Sequence, residues 1–584
     1  MIKQEVPSIL YNYVWSGSVA LSIFYGVIFL INAIGIKFLA LIRGQGLVQL
    51  GVDIVIFGRE VDLLILVASL SFLLVTYTLY RDKISGASLF LVLPICLFPL
   101  AAVEIGSLAT WVSAGFMHNN PFADSSWNVA LLEMRFANIL YPWAPRIMLI
   151  FLFSGLFGFL FRYYKQPLSQ MFSKISRREP STDGERVSNI METHSHVPIL
   201  YLTIGLIMAI FIAAYPYLPA VGSDGRLIGV DTEYYLKKLE LAQGSSISTA
   251  LMIALTDDRT VLHLFNYFLS FLVSDPVLVM KLLPLILSAL LVLSTFLLVR
   301  VGTDNSHLAG LSALFTPVAF QQIAGMNAGF YANWLALIEI NVFFSLLLAS
   351  LRKKRFKLFY GTTAISILVL FTHPWSWFVL MGSVSIFMVA GFLTKSSGKM
   401  ESFSLLGLLA INILADTVKG AAIPWVGTGS QAVYTSLLPS LRLSDLSNVF
   451  GVLGETFTTF LGGAFKNLPL IVLAAIGFAS IRTYGDRFHA MLLAQGVSGL
   501  GGVFLLSANF LSYLQARALY VIPFQIFGAI GFVAVTHFVR GIGFRARVPD
   551  SHMGAFNVLL ALWITTSMMN HTLRMASSLY PFLS

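Results

Sequence analysis

Charge is scarce in this sequence. Only 11% of its 584 residues are Asp, Glu, Lys or Arg, while 57% are hydrophobic and the mean hydropathy is +0.82; an ordinary soluble domain carries about 25% charged residues. No water-soluble fold can bury so large an apolar share, so lipid is the implied solvent. Cysteine is nearly absent as well. Cys96 stands alone inside an apolar stretch, which excludes intramolecular disulfides and thiolate metal clusters. Also missing are a GxxxxGK[ST] phosphate loop, a GxSxG nucleophile elbow and an HExxH zinc helix, which argues against an ATP-driven pump and against common hydrolase or zincin chemistry. The opening MIKQEVPSILYNYVWSG lacks the short apolar core and cleavage site of a signal peptide, so the first apolar run is expected to remain on the mature protein.

The formal net charge is +10. Its Lys and Arg residues fall in short clusters between apolar runs, a placement that favours membrane orientation over nucleic-acid binding. Taking roughly 20 apolar residues per span predicts about 15 transmembrane helices, near 15–41, 61–80, 87–112, 144–163, 197–217, 276–300, 307–322, 331–351, 358–372, 376–394, 402–416, 467–481, 488–508, 520–539 and 553–573. The stretch near 402–425 is a candidate for a broken or re-entrant segment. Alternating these spans puts Arg81/Lys83, the basic 165–198 segment, RKKRFK at 352–357, Lys395/Lys399, Arg482/Arg487 and Arg540/Arg545/Arg547 on one side, the cytoplasmic one, with the N-terminus. The expected organisation is an N-terminal four-helix part over 1–164, a polar cytoplasmic linker over 165–196, and a transmembrane domain over 197–584.

On the opposite side, the first outer loop of the C-terminal part begins VGSDGRLIGVDTEYYLKKLELAQGSSIS. It gathers Asp224, Arg226, Asp231, Glu233, Lys237 and Lys238 where charge can face water. Tyr235, Leu236, Leu239 and Ala242 recur at helical spacing, predicting an amphipathic helix along the membrane surface from Thr232 to Ala242, with Asp231 at its start. An Asp there is among the commonest N-caps, and Glu233 suits the first turn of a helix. Further on, the sequence from DDRTVLHLF (257–300) predicts a membrane-lying helix, a break at Ser274–Asp275–Pro276, and a full span. Asp257, Asp258 and Arg259 read as a local ion-pair cluster of little energetic weight.

Other polar residues fall on the same side. His373, in THPWSWF, either belongs to an interfacial belt with Trp375 and Trp377 or is functional, the default for an ionisable residue at membrane depth. Arg517, in SYLQARALYVIPF, reads on its own as a snorkelling anchor. Gln321, Gln322, Asn327, Tyr331 and Asn333 surround an outer turn, where capping is the commoner use and a sugar pocket the other. Glu339, in the middle of a span, must face protein or a cavity, as must Glu104.

This order of span, outer loop with an Asp, surface helices and span resembles the GT-C superfamily of membrane glycosyltransferases. GVDTEYYLKKLE is similar to the first acidic motif of oligosaccharyltransferase catalytic subunits, and a more distant likeness extends to protein mannosyltransferases; the resemblance covers approximately residues 197–540. It implies an all-α, polytopic fold with a GT-C-like core and outer-face amphipathic helices. It further implies a polyprenyl-phosphate-linked sugar as donor, entering from membrane lipid, and inverting transfer to an extracytoplasmic protein, lipid or glycan. Asp231 would be the general base and His373 a second catalytic residue. Arg517 would bind the donor phosphate, with Asp224, Arg226, Glu233, Tyr234, Gln322 and Asn327 also contacting substrate. A divalent metal ion at Asp231, its site completed by Glu233 and Asp224, is the one cofactor the resemblance leaves room for. The WWD-type signature of oligosaccharyltransferases is missing, so transfer of a whole oligosaccharide to asparagine is not implied. Two other functions fit the same residues: a secondary transporter or flippase for a lipid-linked or amphipathic solute, and a non-catalytic scaffold subunit of an envelope complex.

Overall fold

A computed structural model of the chain describes residues 197–218, 221, 227–353, 356–393, 398–423, 468–481, 487–507, 517–545, 559–561, 563–570 and 572–573, with 19, 22, 67–71, 105, 108, 109, 112 and 116. The expected spans 15–41, 61–80, 87–112 and 144–163 and the 165–196 linker lie wholly or largely outside these residues. Two compact units divide the chain, Met1–Pro142 with Ala534–His571 and Trp143–Val533 with Thr572–Ser584. In the first, the Ser22 hydroxyl donates to that of Ser69 at 3.1 Å.

The described residues of the second unit are mostly helical and include no strand. Its helices are α1 (Val197–Ala214, continued by a 3-10 turn Tyr215–Tyr217), α2 (Thr232–Ala242), α3 (Ile247–Ala254), α4 (Thr260–Ser270), α5 (Pro276–Thr303), α6 (Ser306–Phe315), α7 (Phe320–Asn327), α8 (Tyr331–Lys353), α9 (Phe356–Thr372), α10 (Pro374–Leu393), α11 (Lys399–Ala422), α12 (Leu468–Ser480), α13 (Arg487–Ser507) and the start of α14 (Phe524–Arg545). Among the described residues six helical stretches are long and apolar enough to cross a membrane: Val197–Tyr217, Pro276–Thr303, Ser306–Asn327, Tyr331–Arg352, Pro374–Phe392 and Met400–Ala422. About 15 spans is therefore more than these residues establish.

Two boundaries differ from expectation for local reasons. The apolar run 307–322 is two helices, because Pro317 has no N–H to continue the ladder and the chain breaks between Phe315 and Phe320. The run near 402–425 is an unbroken helix as far as Ala422. The helix, break and span expected over 257–300 are present as α4 and α5. Asp275 caps α5 by accepting from Val277 N at 2.9 Å, and Pro276 supplies its first residue.

Lipid offers no hydrophobic drive between helices, so association rests on close packing and interhelical hydrogen bonds. Both are visible. The Gln322 side-chain amide on α7 donates to Ser288 Oγ of α5 at 2.5 Å and to Ala209 O of α1 at 3.3 Å. Asn412 of α11 accepts from Trp377 Nε1 of α10 at 3.0 Å and donates to Ser366 Oγ of α9 at 2.8 Å. Glu339 of α8, buried, accepts from Thr372 Oγ1 at the end of α9 at 2.9 Å. On α12 and α14, Gly477 and Gly531 let two backbones touch: a Cβ on Gly477 would land on the Phe527 carbonyl oxygen and 2.8 Å from Gly531 N.

Charge is sorted along the bundle. Arg300, Arg352 and Lys353 lie where α5 and α8 end, and Lys399 and Arg487 where α11 and α13 begin. Arg352 pairs with Asp304 at 2.7 Å, and Arg487 pairs with Glu401 at 2.7 Å and donates to Leu351 O at 2.9 Å. At the other end α2, α3 and α4 pack together through Ala242, Ala250, Ile253 and Tyr267, while Leu241, Ile247, Met252, Phe268, Phe271 and Leu272 are exposed. That apolar outer side suits helices lying in a membrane interface.

Replacing Gly477 by Leu forces the α12 and α14 backbones apart, a strain of about 1–3 kcal/mol or more. Gly477→Leu should lower the thermal unfolding midpoint in detergent by several degrees. Gly361→Leu, at a site where a Cβ would meet only Leu346 Cδ1 at 3.7 Å, should leave it near wild type.

Candidate active site

The turn from Asn327 to Tyr331 between α7 and α8 organises one end of the bundle. Gly329 adopts φ +68° and Gly229, in the loop before α2, φ +106°; both values lie in the left-handed region where a side chain is strained. A Cβ on Gly229 would come 2.9 Å from Gly329 Cα, and one on Gly329 would come 2.8 Å from Asp231 N. The two backbones are thus in direct contact. Val230 N donates to Asn327 O and Asp231 N to Ala328 O, each at 3.3 Å. Tyr331, fully buried, donates to Ile228 O at 3.1 Å, and its oxygen lies 3.0 Å from the Thr232 hydroxyl.

Asp231 immediately precedes α2 but does not cap it. Its backbone is helical (φ −85°, ψ −1°) and its side chain makes no capping hydrogen bond. The carboxylate, 30% exposed, meets Arg259 Nη1 at 3.4 Å instead. Arg259 sits just ahead of α4. The same Nη1 donates to the Tyr235 hydroxyl at 2.6 Å, and the guanidinium lies 5.7 and 5.4 Å from the Tyr234 and Tyr235 ring centres. Its Nε is 3.8 Å from Asp258. Asp257 accepts from Arg259 N at 3.0 Å and pairs with His263 Nε2 at 3.3 Å. The expectation that Asp257, Asp258 and Arg259 form a merely local cluster is corrected: Arg259 reaches across 28 residues to Asp231.

Burial disfavours ionisation of both acids of the 257–258 pair, yet they move oppositely. The Asp257 carboxyl ends well below its ordinary value because hydrogen bonds from His263 and Asp258 and the charges of His263 and Arg259 outweigh that burial. The Asp258 carboxyl is pushed up to about 6 by burial and by sharing a proton with Asp257, against the pull of Arg259 and Lys419. Burial pushes the Tyr235 hydroxyl up to about 12, opposed by Arg259, so it stays protonated.

Arg517 reaches the same turn from the far end of the chain. Its guanidinium lies 5.4 Å from the Phe330 ring centre. The short helical piece that carries it ends before Pro523, and the carbonyls freed there are taken up: Gln495 donates to Val521 O at 2.8 Å, and Gln321 donates to Tyr520 O at 3.4 Å and to Ile522 O. Burial and the Arg259 charge pull the Arg517 guanidinium below its ordinary value, opposed by Tyr235, Asp231 and Asp258.

His373 occupies the N-cap position of α10. Its Nδ1 accepts from Ser376 N at 3.2 Å and lies 2.9 Å from Ser376 Oγ. The capping bond uses the Nδ1 lone pair, so the neutral ring carries its proton on Nε2. Arg517, Arg259 and Lys419 all act electrostatically on this ring. Lys419 went unremarked in the sequence. It is buried, donates to Leu370 O at 3.4 Å and lies 5.5 Å from the Phe371 ring centre; a lone Lys in an apolar helix was the available signal.

The remaining candidates divide. Tyr234 is partly exposed against Arg259, with Lys238 Nζ 5.9 Å from its ring centre. Both amide atoms of Asn327 are buried without a hydrogen-bond partner among the described residues. Gln322 is fully buried; its side-chain N–H groups are engaged with α1 and α5, and its Oε1 has no hydrogen-bond partner among the described residues. Asp224 and Arg226 lie outside the described residues. Glu233 is exposed on α2. No group of three or more His, Cys, Asp and Glu side chains among the described residues could hold a metal ion. The cation beside Asp231 among the described residues is the Arg259 guanidinium, and Asp224 lies outside them.

No family model and no curated protein matches the chain. Solved structures with some likeness to it include the Archaeoglobus fulgidus oligosaccharyltransferase in the apo form, at 13% identity and a TM-score of 0.41. Another is archaeal oligosaccharyltransferase AglB from the same organism in complex with an inhibitory peptide and a dolichol-phosphate, at 12% identity and a TM-score of 0.40. In each case the match covers 66% of this chain and 56% of the other, so this chain spans little more than half the length of those proteins.

The depressed Asp257 carboxyl contributes stability that is fully present above its unfolded value, 3.8, and is lost as pH falls below it. Acid unfolding of the detergent-solubilised protein, followed by circular dichroism, should therefore flatten below pH 3.8 in Asp257→Asn, with stability at neutral pH reduced.

Proposed function

We propose that this chain is a membrane glycosyltransferase that moves a sugar from a polyprenyl-phosphate carrier to an acceptor hydroxyl, with Asp231 as general base. The observation that carries this reading is the state of the Asp231 carboxylate. It heads a helix without capping it, is partly open to solvent, and has its backbone fixed to the 327–331 turn on which Arg517 also rests. A carboxylate held by its backbone and spared from capping is free to take a proton, and a guanidinium nearby can receive the charge that leaves.

In the proposed step the acceptor oxygen attacks C1 of the sugar from the face opposite the phosphate. The new C1–O bond forms as the C1–O(phosphate) bond breaks, with inversion, and the acceptor proton passes to Asp231, a role worth about 10²–10⁴ in rate. Arg517 stabilises the departing phosphate oxygen. His373 acts as an Nε2–H donor rather than as a base, since its Nδ1 is committed to α10. The unsatisfied Asn327 amide supplies donors and an acceptor for sugar hydroxyls. The sorting of Arg300, Arg352, Lys399 and Arg487 to the other end of the bundle supports an extracytoplasmic site by the positive-inside rule. The exposed apolar side of α2–α4 supports lateral entry of the donor from lipid.

Transport is the second reading. Its support is Glu339 and Lys419, ionisable groups buried within spans, where transporters place them.

Assayed with polyprenyl-phosphate sugars, Asp231→Asn should lower turnover by about 10²-fold or more. Arg517→Ala should raise KM for the donor and lower kcat. Wild-type transfer by Asp231→Asn would remove the base from the mechanism. Solute uptake into proteoliposomes with no glycosylated product would favour the transporter.

A further inference from the structure

The Asp231 carboxylate must point at an acceptor proton while the helix behind it makes no claim on its oxygens, so something else has to hold its orientation. Among the described residues one side chain reaches it, that of Arg259 at 3.4 Å. Four features make this guanidinium a rigid support. It is only 16% exposed. It lies against the Tyr234 and Tyr235 rings, and such cation–π contacts strengthen as water is removed. Its Nη1 is anchored to the Tyr235 hydroxyl at 2.6 Å, one helical turn after Asp231 on α2. Tyr235 is itself buried against Tyr331 of α8, with ring centres 5.7 Å apart. The orientation of Asp231 is thereby referred to a membrane-spanning helix through two tyrosines. The pair is mostly shielded from solvent, at 16% and 30% side-chain exposure, so a folding check accompanies the kinetic test below.

We infer that Arg259 is a positioning residue for the Asp231 base: its forked guanidinium fixes the carboxylate and stands as its counter-charge, without itself binding the donor phosphate. The Nη1 is already shared between Asp231 and Tyr235 and the Nε faces Asp258, so two of the three guanidinium nitrogens are engaged within the site; the proposed phosphate ligand is Arg517, beside Phe330. This rests on the reading of Asp231 as base, and the test separates the two. Lysine keeps the charge but cannot reproduce the fork, and glutamine keeps hydrogen-bonding capacity without charge.

The full-length protein, assayed with a polyprenyl-phosphate sugar in the wild-type, Arg259→Lys, Arg259→Gln, Asp231→Asn and Asp231→Asn/Arg259→Gln forms, gives the test. Misplacement of a catalytic group costs about 100-fold, so Arg259→Gln should lose about that much in kcat, Arg259→Lys should fall between it and wild type, and KM for the donor should hold within about twofold in both. The double variant should be no slower than Asp231→Asn alone, because a residue acting through Asp231 has nothing left to position. Should Arg259→Gln fail to fold by size-exclusion chromatography, Arg259→Lys carries the test, and wild-type kcat in it overturns the proposal. A loss confined to KM, or multiplicative losses in the double variant, would likewise overturn it and assign Arg259 to phosphate binding or to an independent role. Full activity of Asp231→Asn would instead defeat the assignment of the base itself.

Discussion

The contact between the Gly229 loop and the Gly329 turn holds the site together. Two residues in left-handed backbone conformations, with Gly329 pressed against Asp231 N, bring an extramembrane segment onto the head of a spanning helix at a distance no side chain would permit. Everything of chemical interest is referred to that turn. Asp231 is bonded to it through its backbone, Arg517 lies over Phe330 within it, and Tyr331 at its end carries the Tyr235 ring that in turn seats Arg259. The surface helices α2–α4 would otherwise be three short amphipathic pieces, each too brief to be stable alone in water.

Below the turn, the bundle is built from the interactions that a lipid solvent leaves available. Buried polar pairs such as Gln322–Ser288, Asn412–Ser366 and Glu339–Thr372 join helices distant in sequence, and paired glycines on α12 and α14 permit backbone contact. Glu339–Thr372 also sets depth. Glu339 lies roughly two turns into α8, so its bond to Thr372 seats the start of α10, and with it His373, below the level of the Asn327–Tyr331 turn. The capping bond to Ser376 then decides which ring nitrogen carries the proton.

Electrostatically, the site mixes signs instead of concentrating one. Arg259, Arg517 and Lys419 alternate with Asp231, Asp257 and Asp258, and the effects are visible in pairs: Asp257 held low by its hydrogen bonds and cationic neighbours, Asp258 pushed up beside it, and Arg517 pulled down by burial and by Arg259. A site of this kind can accept a phosphate and a proton at different points without a large net charge to bury.

Composition and periodicity were sufficient for the membrane solvent, for the amphipathic helix at Thr232–Ala242, for the break before Pro276 and for the apolar stretches behind the six candidate spans, because those features follow from local hydropathy and from what Pro and Asp do to a helix end. The same local logic misled at Asp231, which occupies a cap position yet makes no cap, and at Arg259, which looked tied to its neighbours in DDRT. Both outcomes depend on a partner 28 residues away and on a turn near residue 329, and hydrogen-bond geometry over that separation has no signature in one dimension. The sequence by itself determined which residues must leave water and which must meet it. Only the tertiary structure decided which charged groups share a site, since that depends on helices that are close in space and far apart in the chain.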